Sequence, residues 1–296
     1  MRRAVLIHNP VAGLRKRSSL LSDLKAILDR GGVEVDIVPT TEAGSATAIA
    51  RDIATTGTHD TVLAFGGDGT VREIAKGLMG SPVAMAPLSA GTTNVVSRAL
   101  GLPLEPRRAA RALLSATATD CDVGLCGDEP FLMQVSLGID AATMAGASTR
   151  LKNLVGRAAI LASWLETSWT YGYPDIEYVA DGVAGKATFV AACNIAFYGG
   201  PFQLAPEATF SSRRLHLVTF SGQGSLDASR FAFNLLRGRH LDMEGVDSRP
   251  LDELILPAPL SAPLQLDGDV IELDAPLEIR LAAERVVLLR PPADAD

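Results

Sequence analysis

The chain has 296 residues, 47% of them hydrophobic and 21% charged, which is enough apolar mass for a sizeable core and rules against a mainly disordered chain. A net charge of −7 gives no global electrostatic reason to bind nucleic acid, whose recognition needs clustered cations. Cys121, Cys126 and Cys193 show no metal-ligand spacing and read as small buried hydrophobes in a reducing compartment.

The length exceeds the roughly 100–200 residues of one ordinary domain, so two are expected. At the start, Arg2 and Arg3 precede an apolar run of only Ala4 to Ile7, shorter than a signal-peptide core. No uncharged stretch reaches the roughly 18 residues of a membrane span. The expectation is a cytoplasmic protein that meets membranes only at their surface.

Ala4 to Ile7, Val33 to Val38, Thr61 to Phe65 and Val83 to Pro87 read as buried strands, short, apolar and bounded by Gly, Pro or Asn. Between them, Ser18 to Arg30, Ser45 to Thr56 and Val71 to Leu78 read as helices. Strand and helix in alternation predict a parallel, doubly wound sheet, whose ligands bind at the carboxyl ends of strands.

After Asp120 the pattern changes. Strands are predicted at Phe131 to Leu137, Ile176 to Ala180, Thr188 to Ile195, Leu215 to Phe220, Leu251 to Leu256, Leu264 to Leu266 and Leu277 to Leu281. Few have helices between them, which favours a second domain built as an antiparallel sheet or sandwich. Two helices interrupt it, at Ser148 to Trp169 and Ser225 to Arg237. The first of these sets Arg150, Lys152 and Arg157 among large apolar residues. It fits either an interfacial helix on an anionic membrane or a helix packed on the sandwich with a solvated basic end. A last strand, Arg285 to Leu289, precedes a Pro-Pro pair and an acidic tail. An exposed sheet edge would permit a homodimer.

Chemistry concentrates in three loops. Gly66-Gly67-Asp68-Gly69-Thr70 lies between a strand and a helix. Its glycines let backbone amides and a helix N-terminus approach phosphate oxygens. Asp68 among such amides would repel phosphate unless a cation intervenes, which points to Mg²⁺ or its waters. Asn9-Pro10-Val11-Ala12-Gly13 and Gly91-Thr92-Thr93-Asn94 follow the first and fourth predicted strands, so all three loops line one crevice.

These residues, with Thr40 ahead of Glu42 and Gly44 and with Leu100-Gly101-Leu102-Pro103, resemble the diacylglycerol-kinase catalytic-domain family. That family includes bacterial diacylglycerol, phosphatidylglycerol, sphingosine and ceramide kinases. The resemblance is dense over the first 125 residues and sparse beyond. It implies an α/β N-terminal domain like those of NAD kinase and phosphofructokinase, residues 1–122 rejoined by about 283–296. An antiparallel β-sandwich, 123–282, would receive a membrane lipid. It implies ATP bound by Asn9, Pro10, Ala12, Gly13, Thr40, Gly66, Gly67, Asp68, Gly69, Thr70, Val71, Arg72, Thr92 and Asn94. Asp68 and Asp122 would reach Mg²⁺ through water.

The family's proton acceptor is a glutamate in Asp-Gly-Glu, and here the stretch reads Asp267-Gly268-Asp269. Asp269 keeps the carboxylate, one methylene shorter, although Asp-Gly between strands is also a hairpin turn signal. Val95 stands where the family often has an aspartate, and Ser212 beside Arg213 and Arg214 where bacterial members have an acidic ligand for a second metal. The resemblance therefore implies an ATP-dependent lipid kinase. The alternatives are a catalytically weakened nucleotide- or lipid-binding regulator and an NAD kinase, which shares the glycine turn.

Overall fold

The computed structural model describes residues 1–10, 17–146 and 167–292. The chain divides into two compact units, Met1–Asp122 with Ala283–Asp296, and Val123–Ala282.

The first unit begins with β1 (Arg3–His8), α1 (Arg17–Arg30), β2 (Glu34–Pro39), α2 (Ser45–Thr56), β3 (Thr61–Gly66), α3 (Asp68–Leu78) and β4 (Ala84–Ser89). Two short helices, α4 (Val95–Ala99) and α5 (Pro106–Leu113), lead to β5 (Thr117–Cys121). The four strands β1 to β4 run parallel in the order β2-β1-β3-β4. Every residue of β3 and β4 is buried, as central parallel strands require. Right-handed crossovers that step out from β1 to β2 and back to β3 put α1 on one face and α2 and α3 on the other. The packing agrees, with α1 against α5 and α2 against α3. Gly77 permits that second contact, since a Cβ there would sit 2.6 Å from the Thr47 carbonyl oxygen and 2.7 Å from the Ala50 Cβ.

The second unit holds β6 (Gly124–Cys126), β7 (Glu129–Phe131), β8 (Gln134–Leu137), α6 (Ile139–Gly146), β9 (Ile176–Ala180), β10 (Val183–Ala187) and β11 (Phe189–Cys193). There follow β12 (Phe197–Tyr198), β13 (Phe202–Gln203), β14 (Leu215–Phe220), α7 (Gly224–Leu236), β15 (Val246–Leu251) and β16 (Glu253–Leu256). The unit closes with β17 (Leu264–Leu266), β18 (Asp269–Ile271) and β19 (Leu277–Leu281). The final strand, β20 (Val286–Arg290), returns to the first sheet between β4 and β5. Two six-stranded antiparallel sheets, β10-β9-β16-β19-β6-β7 and β15-β14-β11-β8-β17-β18, share one core containing Phe131, Val135, Val190, Leu217, Leu254 and Ile279. Each such side chain contributes about 1.5–3 kcal/mol on leaving water. Burial also pushes the thiols of Cys121 and Cys126 up to about 12, which keeps them inert.

Several elements differ from their sequence-based expectation for identifiable reasons. The helix expected at Val71 starts at Asp68, so Asp68, Gly69 and Thr70 form its first turn. The run Phe131 to Leu137 is broken at Leu132-Met133, where Asp267 takes the amides of Leu132 (2.8 Å), Met133 (2.8 Å) and Gln134 (3.1 Å). The run Leu251 to Leu256 is two strands in different sheets. The chain changes sheet at Asp252, whose N–H donates to Asp181 at 3.0 Å. The edge strands β5 and β10 were not expected, being largely exposed and lacking an apolar alternation. The Ser148 to Trp169 helix lies outside the described residues except at 167–169, which are helical.

Asp267 is buried and sits at the start of the β17–β18 turn. Asp267→Ala would strip three amides of their acceptor, and should lower stability by about 3 kcal/mol or more in urea denaturation. Asp267→Asn, which keeps one acceptor oxygen, should lose markedly less.

Candidate active site

The parallel sheet sets the loops after β1, β2, β3 and β4 at one edge. Thr40 follows β2 and its N–H donates to the His8 carbonyl at 2.8 Å, tying the ends of β1 and β2. Asn9, Thr40, Thr41, Glu42, Thr70 and Glu73 line a recess of about 660 Å³, open mouth included. Of the sequence-predicted residues it therefore gathers Asn9, Thr40 and Thr70. Pro10 is exposed beside it, while Ala12 and Gly13 lie outside the described residues.

The glycine turn lies against the loop after β4. Gly67 caps α3 with extended backbone, so the amides that follow it have no intrahelical acceptor. A Cβ on Gly91 would come within 2.8 Å of the Gly67 Cα and 3.0 Å of the Asn94 Oδ1, so only glycine allows this approach. Asn94, at φ +47°, accepts from the Gly91 N–H and donates to the Gly91 carbonyl, both at 3.0 Å.

Asp68 locks the two loops together. Its carboxylate accepts from the Thr93 hydroxyl at 3.0 Å and from the N–H groups of Val95 (3.1 Å) and Val96 (3.2 Å). The expected metal partner is thus also the acceptor for the first turn of α4. Val95, the departure from the family pattern, buries its side chain and gives its amide to this clamp. Val71 is likewise buried, so it can offer a nucleotide its backbone alone. Arg72 is half-buried on α3, and Thr92 is exposed at the loop tip.

Asp122 is buried, and its Oδ1 accepts from the Arg285 guanidinium at 3.0 and 2.9 Å. Its charge is compensated by arginine, which makes it a poor member of a magnesium network. Among the described residues no group of three or more His, Cys, Asp or Glu is placed to hold a metal. A Mg²⁺ that arrives on phosphates keeps most of its waters and needs only one or two carboxylates. Asp68, with lone pairs beyond its three donors, fits that lesser demand. Ser212 is engaged in a turn, accepting from the Thr209 N–H at 2.8 Å and donating to its carbonyl at 2.9 Å. Arg214 is paired with Asp252 at 2.6 and 2.8 Å.

In the second unit, Asp267 and Gly268 adopt φ values of +52° and +88°, a two-residue hairpin turn that sets Asp269 first on β18, exposed. The hairpin signal and the carboxylate position coexist. Gln265 links this turn to the buried Asp140. Its Oε1 accepts from the Gly268 N–H at 2.7 Å, and its Nε2 donates to the Ser136 hydroxyl at 2.6 Å. Ser136 in turn donates to Asp140, which also accepts from the Ala141 N–H (2.7 Å) and the Tyr198 hydroxyl (3.3 Å).

Burial pushes the Asp140 carboxyl above its ordinary range, and these donors pull it back down. Burial, then Asp140 itself, lifts the Tyr198 phenol well above its ordinary value. Asp140, Tyr173, Thr188 and Tyr198 form the polar part of a mainly apolar recess under α7, about 470 Å³ with its mouth, walled by Phe189, Phe220 and Phe231. Neither Asp140 nor Gln265 announces itself in the sequence. Only the polar interruption of Leu264-Gln265-Leu266 hints at a partner across the sheet.

Asp68→Ala should lower stability by about 2–4 kcal/mol in denaturant unfolding, because two amides and a hydroxyl lose their acceptor. Asp68→Asn, retaining one acceptor oxygen, should cost about 1 kcal/mol.

Residues 3–126 match the family described as the diacylglycerol kinase catalytic domain. A diacylglycerol kinase of Bacillus subtilis is 26% identical over 274 residues, covering 91% of this chain and 90% of its own length. A "Probable lipid kinase YegS-like" of Chromohalobacter salexigens is 29% identical over 265 residues, covering 86% and 85%. One from Pseudomonas putida is 35% identical over 167 residues, 55% of each chain. The fold is similar to a crystal structure of a diacylglycerol kinase from Bacillus anthracis. The two share a TM-score of 0.79 at 22% identity, with 99% of this chain and 98% of that one covered. Over residues 3–126 the chain thus matches the diacylglycerol kinase catalytic domain, and its relatives are named as diacylglycerol and lipid kinases.

Proposed function

We propose that the chain transfers the γ-phosphoryl group of ATP to the hydroxyl of a membrane lipid, either diacylglycerol or a sphingoid base or ceramide. The first unit serves as a doubly wound, NAD-kinase- and phosphofructokinase-like nucleotide domain. The second serves as a β-sandwich that receives the lipid. One observation carries the reading: a recess at the carboxyl ends of the parallel strands unites Asn9 and Thr40, from the loops after β1 and β2, with Thr70 from the first turn of α3.

Within that recess, Glu42 and Glu73 disfavour phosphate and suit the hydroxyls or amine of the nucleoside. The triphosphate then runs toward the amides after Gly67 at the α3 N-terminus, where fixed dipoles favour anions. A magnesium ion carried on the phosphates would be held by Asp68 through water and would neutralise charge during transfer. The lipid oxygen forms the new bond to the γ-phosphorus as the bond to the bridging oxygen breaks and ADP leaves. The hydroxyl proton passes to the Asp269 carboxylate. The apolar recess under α7 would take the lipid's apolar part only if α7 or its neighbours shift, and the Asp140–Ser136–Gln265 chain ties its polar end to the turn bearing Asp269. Among the described residues no helix is long and apolar enough to cross a membrane. The enzyme would meet its lipid from the cytoplasmic face.

Purified protein with Mg-ATP should phosphorylate at least one lipid in a panel of diacylglycerol, sphingosine, ceramide and phosphatidylglycerol, resolved as labelled products. Transfer to NAD in place of a lipid would make it an NAD kinase, and ATP binding with no transfer would make it a regulator. Asp269→Ala should lower kcat by on the order of a hundredfold or more, with ATP affinity little changed. An unaltered kcat would remove Asp269 from the mechanism. Gly91→Ala, which forces the two glycine loops apart, should lower kcat/KM for ATP by on the order of a hundredfold while far-UV circular dichroism stays native.

A further inference from the structure

Helix α7 is apolar on both sides. Its inner side buries Ala228 and Phe231 and gives Ala232 and Leu235 to the recess beneath. A helix with one face on a core ordinarily turns charge to solvent on the other. Here the outer face carries Leu226, Phe233 and Leu236, which are 64%, 56% and 48% exposed. Eight large hydrophobic side chains are exposed among the described residues, and four fall between Leu226 and Leu241, so this is a patch rather than scatter.

The charges that share this face have one sign. The exposed residues from Leu226 to Arg239 are leucine, phenylalanine, glycine and the three arginines Arg230, Arg237 and Arg239. The guanidinium of Arg237 lies 5.4 Å from the centre of the Phe233 ring. Asp227, half-buried, holds the Gln223 N–H at 3.1 Å and lies 3.4 Å from the Arg230 guanidinium. The first exposed carboxylates, Asp242 and Glu244, come after the helix has ended. Trp169, 78% exposed, belongs to the segment whose Tyr173 packs with Ala228 of α7. Exposed leucine and phenylalanine flanked by arginine, with a nearby tryptophan, is the composition of a helix lying in a membrane interface. In a chain of net charge −7 it is a local reversal of sign.

We propose that the outer face of α7 docks the protein on an anionic lipid bilayer, with Leu226, Phe233 and Leu236 entering the acyl boundary and Arg230 and Arg237 meeting lipid phosphates. The choice of a bilayer over another partner rests on the lipid-kinase reading. The seat itself follows from α7 alone. The recess beneath the same helix then faces the leaflet that supplies its occupant.

Flotation of the full chain with phosphatidylcholine vesicles, with and without phosphatidylglycerol, tests this. Partition should rise steeply with the anionic lipid and fall as salt is added. Arg230→Gln with Arg237→Gln should weaken it by roughly thirtyfold, from the loss of two interfacial cations. Phe233→Ala with Leu236→Ala should weaken it on both kinds of vesicle. Phosphoryl transfer to a short-chain lipid dispersed as monomers should be unchanged in both variants. Unchanged partition in both would overturn the proposal. So would a native dimer that light scattering shows falling apart in the variants, since the face would then join two copies of the chain. Vesicle binding through α7 without phosphorylation of any lipid would leave the docking face standing and sink the kinase reading.

Discussion

The glycine-bearing edge of the first unit depends on one carboxylate. Asp68 begins α3, yet its oxygens are spent on Thr93, Val95 and Val96 in the loop that follows the next strand. This ties together two glycine-bearing segments where Gly91 packs so closely on Gly67 that no Cβ fits between them. An anion-binding surface made of main-chain amides works only if those amides are held rigidly. The residue expected to partner a metal is thus also the one that gives the amides their geometry.

A second carboxylate plays the corresponding part in the other unit. Asp267 gathers three consecutive amides of the β7–β8 bend and sets the hairpin from which Asp269 projects. Gln265, on the strand before it, carries the connection inward to Ser136 and Asp140. Turn, strand and buried acid form one hydrogen-bonded series, so a change in the polar end of the recess has a direct structural route to the turn.

The sequence exposed the parallel half of the fold well because its strands are short apolar runs set between glycine-stopped helices, and burial on both sides leaves such runs unmistakable. It exposed the glycine loops for the same local reason. What it hid depends on partners far away in the chain. Arg285 neutralises Asp122 from 163 positions on, and nothing around Cys121-Asp122-Val123 signals an arginine. Asp267 breaks an apolar run some 134 positions earlier, where local composition favours one continuous strand. Edge strands such as β5 and β10 escaped because half-exposed polar residues pair as readily as apolar ones once a neighbour is present.

The position of β20 has a consequence for how the molecule is made. It lies between β4 and β5, parallel to the first and antiparallel to the second. During synthesis the first sheet must therefore wait, with a gap at its fifth place, until the whole of the second unit has emerged. Until then β4 presents an open edge of the kind that recruits foreign strands. Arg285 arrives with β20 and brings its guanidinium to Asp122, so this ion pair forms only when the last strand is in place. Completion of the first unit thereby reports that the second is already present, and a ribosome that stops early releases a chain whose parallel sheet is unfinished.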